Sequence, residues 1–159
     1  WGRLQELPSV EVSYRSPVLQ PAIVGIVADD DFYAETATES EASATGTVTI
    51  TNPGNERVYN AVFTLRGTAT NPVITNTTNG YGRSTARDIA SDLQRIRFDA
   101  GRDEVKYAAD GSSYADDYSN FVRTAGQVQL MVLEPGDNLF TFSGISSATL
   151  AWRFFGAYR

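Results

Sequence analysis

Leu130-Met131-Val132-Leu133-Glu134-Pro135-Gly136-Asp137-Asn138-Leu139-Phe140-Thr141-Phe142 reads as two apolar strands folded about Pro135-Gly136. Pro135 presets φ for the second corner of a β-turn, and Gly136 accepts the positive φ that the third corner of a type II turn demands. The stretch therefore predicts a hairpin, with Pro135, Gly136 and Asn138 as its structural turn. Ala148 to Phe155 follow as a closing strand that places Leu150, Trp152 and Phe154 on one face and Thr149, Ala151 and Arg153 on the other. Trp152, between two large apolar neighbours on its face, is expected in the core.

The same period-two signal runs outward toward the N-terminus. Thr47-Val48-Thr49-Ile50-Thr51 alternates strictly, is β-branched, and is stopped by Asn52-Pro53-Gly54-Asn55. Val58 to Arg66 alternates again, and Pro72 to Thr75 forms a short strand before a tight turn at Asn79-Gly80. Thr85 to Phe98 is mixed: Ile89, Leu93 and Ile96 recur at helical spacing, whereas Arg95 to Asp99 alternates as a strand. The reading is a loop or single helical turn followed by a strand. Val105 to Tyr107 and the turn at Asp110-Gly111 add another strand, and Tyr114 to Asn120 reads as loop. Near the start, Ala22 to Ala28 reads as a strand, and residues 1–17 as a lead-in from an upstream domain. Many short strands with turn signals every eight to twelve residues predict an all-β, antiparallel β-sandwich of jelly-roll kind over residues 18–159.

Composition limits the chemistry. The 159 residues carry 13 basic and 19 acidic side chains, a net charge of −6, which argues against nucleic acid as partner. No apolar run is long enough to cross a bilayer, so a soluble chain without membrane insertion is expected. Trp1 in place of Met suggests a processed chain or a piece of a longer one. Cysteine and histidine are both absent, which removes thiolate chemistry, the usual general base of nucleophilic triads and the commonest metal ligand. No cofactor or metal is expected. Six acidic residues between Asp29 and Glu41 have no basic residue among them, but they lack EF-hand spacing and read as a solvated loop or a polar strand start rather than a calcium site.

Two binding or catalytic chemistries remain. Paired carboxylates hydrolyse glycosides without histidine, yet no spacing fixes two of them about a cleft; Asp99, Asp103 and Asp110 sit near turns, where solvated turn-formers are the commoner explanation. The chain is therefore expected not to be an enzyme. Jelly rolls often present aromatic rings to sugar faces, and Tyr107, Tyr114, Tyr118 and Phe121 are the candidate glycan contacts. Eight Tyr and eight Phe are also what two sheet faces need for packing. Arg95, Arg97 and Arg102 read as an exposed strand face and turn, or as an interface with a neighbouring subunit.

Taken in order, several segments resemble the C-terminal domain of phage distal tail proteins and the related minor tail proteins. Ala28-Asp29-Asp30-Asp31-Phe32-Tyr33 is similar to an early A-x-D-P-x-x-Y segment of that family, and Thr49 to Asn55 to its V-x-N-x-G turn. Leu65-Arg66-Gly67 with Asn71-Pro72-Val73-Ile74, Ile96 to Ala100 with Val105 to Tyr107 and Asp110-Gly111, Leu133 to Asn138, and Trp152-Arg153 with Tyr158-Arg159 continue the set to the C-terminus. Asp31 stands where the family often has Pro, and Phe98 where it often has Ile. The resemblance implies a galectin-like or carbohydrate-binding-module-like sandwich on the outside of a homo-oligomeric, usually hexameric, tail-tip ring in the virion. Tail tube, hub and receptor-binding protein would be its partners, with contact to host-surface glycans. The alternative is a carbohydrate-binding module of a secreted bacterial protein.

Overall fold

The computed structural model describes residues 32–33, 36–122 and 131–158. The expected strand over Ala22 to Ala28, the lead-in and the first half of the acidic interval lie outside them. The described strands are β1 (Phe32–Tyr33), β2 (Thr38–Ser43), β3 (Val48–Asn52), β4 (Val62–Asn76), β5 (Tyr81–Thr85), β6 (Ile89–Asp99), β7 (Glu104–Ala108), β8 (Ala115–Asp116), β9 (Phe121–Val122), β10 (Gly136–Phe154) and β11 (Ala157–Tyr158). One turn of 3-10 helix, Tyr118–Asn120, precedes β9. Every pairing among them is antiparallel, as expected for this all-β class.

Two long strands organise the sheet. The central order is β2-β10-β4-β6-β7-β8, while β3 joins the N-terminal half of β10 and β5 the C-terminal half of β4. Phe63 on β4 lies opposite Trp152 on β10, yet its ring packs against Phe140, twelve residues back along β10, with centroids 5.4 Å apart. At about 3.3 Å per residue those positions would be roughly 40 Å apart on a straight strand. The contact requires β10 and β4 to fold over, so each strand serves both layers and the core lies between them. Phe63, Leu65, Ile96, Phe98, Leu150 and Phe154 from one layer meet Ile50, Ile74 and Phe140 from the other, all at most 1% exposed.

The fold-over has a local cause. Register shifts on β10 flank Ile145, the first of them spanning Gly144, and another on β4 falls between Arg66 and Gly67. Gly144 has φ +73°, and a Cβ there would overlap the Thr70 carbonyl oxygen and stand 2.9 Å from that of Asn71. Only glycine admits both the positive φ and the close backbone approach.

Three local expectations are corrected. Val58–Arg66 and Pro72–Thr75 were two strands by pattern, but β4 runs unbroken from Val62 to Asn76 through the bend. The segment from Ile89 is extended throughout, with no helical turn: Leu93 is 67% exposed, so the helical spacing of Ile89, Leu93 and Ile96 does not describe a buried stripe. The hairpin about Pro135-Gly136 is replaced by a different pairing. Gly136 does take φ +79°, but Leu133 bridges Val58, and the chain beyond the turn pairs with β3 and β4. Met131, Val132 and Leu133 are all buried, and a run buried on both sides has no solvent face to place in an alternating strand.

Side-chain amides take over the hydrogen bonding there. Asn138 Nδ2 donates to the carbonyls of Glu134 (2.8 Å) and Gly136 (3.0 Å), and its Oδ1 accepts from the Glu134 N–H (2.8 Å) and from Asn76 Nδ2 (2.9 Å). Asn76 Nδ2 and Asn79 Nδ2 both donate to the Val132 carbonyl at 3.0 Å. Asn138 and Asn76 are fully buried, so the turn is closed from inside.

Candidate functional site

Register places two rows of side chains across four strands on the face of the sheet turned away from the core. Glu41, Ala151, Thr64 and Arg97 form one row, and Glu39, Arg153, Val62 and Asp99 the other. Residues directly opposite on adjacent strands project to the same side. Small side chains occupy the centre of each row except for Arg153, and long charged ones stand at the flanks. The result is a trough of about 810 Å³, whose lining also takes in Asn60, Tyr114, Trp152 and Phe155.

Aromatic rings stand with guanidinium groups at two places in it. Arg97 lies over the Tyr114 ring at 5.8 Å and Arg153 over the Phe155 ring at 5.8 Å. The lining charges balance, with Glu39 and Glu41 against Arg97 and Arg153. The pairings among them are loose. Arg153 Nε is 3.8 Å from Glu39, and Arg97 Nη2 reaches Asp99 only at 3.5 Å, while Glu41 is drawn outward to Arg66 at 3.0 Å. Arg97 Nε and Asn60 Oδ1 are buried without a hydrogen-bond partner. Each such unsatisfied group costs about 1–3 kcal/mol; among the described residues Arg83 Nη1 and Arg95 Nε, both outside the trough lining, share this state.

The four aromatic candidates divide. Tyr114 lines the trough. Tyr118 and Phe121 stack on each other instead, with centroids 5.3 Å apart, and Arg83 covers Phe121 at 5.0 Å. Tyr107 sits beneath Arg87 at 4.6 Å. Arg87 in turn grips buried Asp117 through both Nε and Nη2, a pairing that raises its pKa above the usual arginine value. These three rings thus belong to an arginine-braced cluster around Asp117, apart from Tyr114. Pro135, Gly136 and Asn138 lie at the turn described above. Trp152 packs on the core as expected and also contributes to the trough lining.

Glu39, Glu41, Thr64 and Arg153 carry no signal in the linear sequence, because only strand register brings them together. Glu39 and Glu41 belong to the acidic interval, and their carboxylates face arginines. Among the described residues, no group of three or more Asp or Glu side chains is placed to hold a metal ion. No described helix is long and apolar enough to cross a membrane.

Fold and trough together define an antiparallel β-domain with a bent, shared sheet and a polar-aromatic depression on one outer face. Neither a family model nor a curated protein matches the chain. Among solved structures it is similar to the Dit protein of phage SPP1, described as a paradigm of the hub adsorption apparatus in phages that infect Gram-positive bacteria. The TM-score is 0.53 at 8% identity, with 77% of this chain and 47% of that chain covered. The chain spans about half the length of that protein, and the likeness is one of fold.

Proposed function

We propose that the chain is a structural, non-enzymatic component of a bacteriophage tail, a distal or minor tail protein whose β-domain is displayed on the outside of a hexameric tail-tip ring. The observation that carries the reading is the shared fold with a phage hub protein over 77% of the chain, together with the sequence segments that follow one another in the family's order from Ala28 to Arg159. In this role it contacts the tail tube, the hub and a receptor-binding protein.

The test is location. In tailed particles purified from the source organism, mass spectrometry should detect the chain, and gold-labelled antibody should mark the distal end of the tail. Label on the capsid, or a chain found only as free secreted protein, overturns the proposal. The second outcome favours the carbohydrate-binding module of a secreted protein, a reading that the trough also supports.

A further inference from the structure

We infer that the trough formed by β2, β10, β4 and β6 is a binding site for a neutral saccharide, with Tyr114, Glu39, Arg153 and Arg97 as its contact residues. The inference takes up the glycan contact of the functional reading but does not depend on where the domain is displayed.

Three features converge on this ligand class. The volume of about 810 Å³ accommodates a short oligosaccharide and falls within the range of small-molecule sites. Two acidic and two basic lining side chains cancel, so neither a polyanion nor a polycation gains a net Coulomb term, while a sugar hydroxyl, donor and acceptor at once, suits both signs. The loose Arg153–Glu39 and Arg97–Asp99 pairs leave donors and acceptors ready to exchange a long contact for a full hydrogen bond.

The unsatisfied atoms strengthen the case. Of the four buried side-chain atoms without partners among the described residues, two, Arg83 Nη1 and Arg95 Nε, lie outside the trough, and two, Arg97 Nε and Asn60 Oδ1, are a donor and an acceptor on residues of its wall. Both are out of reach of water in the resting arrangement. A rotation of Arg97 away from its 3.5 Å contact with Asp99 brings its guanidinium onto a ligand hydroxyl. Tyr114, half-buried in the trough lining with Arg97 over its ring, supplies the aromatic surface for the apolar face of a pyranose. The rings of Tyr107, Tyr118 and Phe121 are instead engaged by Arg83, Arg87 and each other.

The test is an NMR titration of the ¹⁵N-labelled chain with glucose, galactose, N-acetylglucosamine and their disaccharides, beside polyglycerol phosphate as the anionic probe. At least one neutral sugar should give saturable shifts at Val62, Thr64, Ala151 and the Trp152 indole. Glu39→Gln, exposed, and Tyr114→Ala, half-buried, should each weaken that binding at least ~10-fold, the first with an unchanged melting temperature. Arg153→Gln serves as a third variant should either of them lower it. Shifts centred on Tyr118 and Phe121, binding of polyglycerol phosphate alone, variants that bind like the parent, or no response at about 10 mM sugar, ten times a Kd of roughly 1 mM, overturn the inference. A chain that binds sugar but is absent from tailed particles keeps this site and loses the tail role, and the converse result does the opposite.

Discussion

Gly136 and Gly144 offer a matched pair for testing how the fold-over is made. Both lie on β10 with nearly the same backbone angle, φ +79° and +73°. Around Gly136 there is nothing within 4 Å of where a Cβ would stand, whereas at Gly144 that atom would run into the carbonyl oxygens of Thr70 and Asn71. For Gly136→Ala the left-handed φ costs about 1–2 kcal/mol, partly offset by about 0.4–1 kcal/mol from a less entropic unfolded chain. The expected net loss is about 1 kcal/mol.

Gly144→Ala bears the same backbone cost plus a displacement of β4 against β10 at the bend, comparable to over-packing at about 1–3 kcal/mol, for a total of about 2–4 kcal/mol. At about 2–4 °C per kcal/mol for a chain of this size, calorimetry should find Gly136→Ala lowered by about 3 °C and Gly144→Ala by about 6–12 °C. Equal losses would refute the reasoning, because they would mean that φ alone, not the approach of the two strands, makes glycine necessary at the bend.

Further outcomes follow from the buried polar groups. Asn138→Ala removes the partners of the Glu134 N–H and of two carbonyls at the turn, and urea unfolding should show a loss of at least about 3 kcal/mol, the low end of roughly 1–3 kcal/mol for each of the three groups. Arg83, with its side chain only 3% exposed, pairs with Asp103, which is 55% exposed. Asp103→Ala, by leaving that guanidinium unpaired, should destabilise by about 2 kcal/mol, whereas Arg83→Met should be nearly neutral; a larger loss for Arg83→Met in the same unfolding assay would contradict this.

The N–H groups of Ser113 and Ser112 hold the Asp110 carboxyl well below the usual carboxylate range. A depressed folded pKa means stabilisation that is complete above the unfolded value of about 3.9 and disappears as pH falls through the folded one. The stability gap between the parent and Asp110→Asn should therefore stay constant from about pH 7 to 5 and close below about pH 4; a gap that widens on acidification would reverse the assignment.

Strand identity and solvent faces were legible wherever side chains alternate. Val48 to Asn52 shows this most simply, since its period of two directly records which side is buried. The positive φ at Gly136 was legible for a similar reason, being a property of Pro-Gly itself. The pattern failed at Ile89 to Ile96, where Ile89, Leu93 and Ile96 at helical spacing do not share a buried face, and at Met131 to Leu133, where a run buried on both sides carries no period.

Local side-chain chemistry thus determined the class of fold and most of its strands, because propensity and alternation act over a few neighbouring residues. Tertiary structure alone decided which strands became neighbours, that β4 and β10 each bend through both layers, and that Glu39, Thr64, Arg97 and Arg153 come to share one trough. The physical reason is that register is fixed by contacts between residues far apart in the chain. A shift of a single residue in β2 or β10 would keep the same alternation but turn the trough side chains to the opposite face.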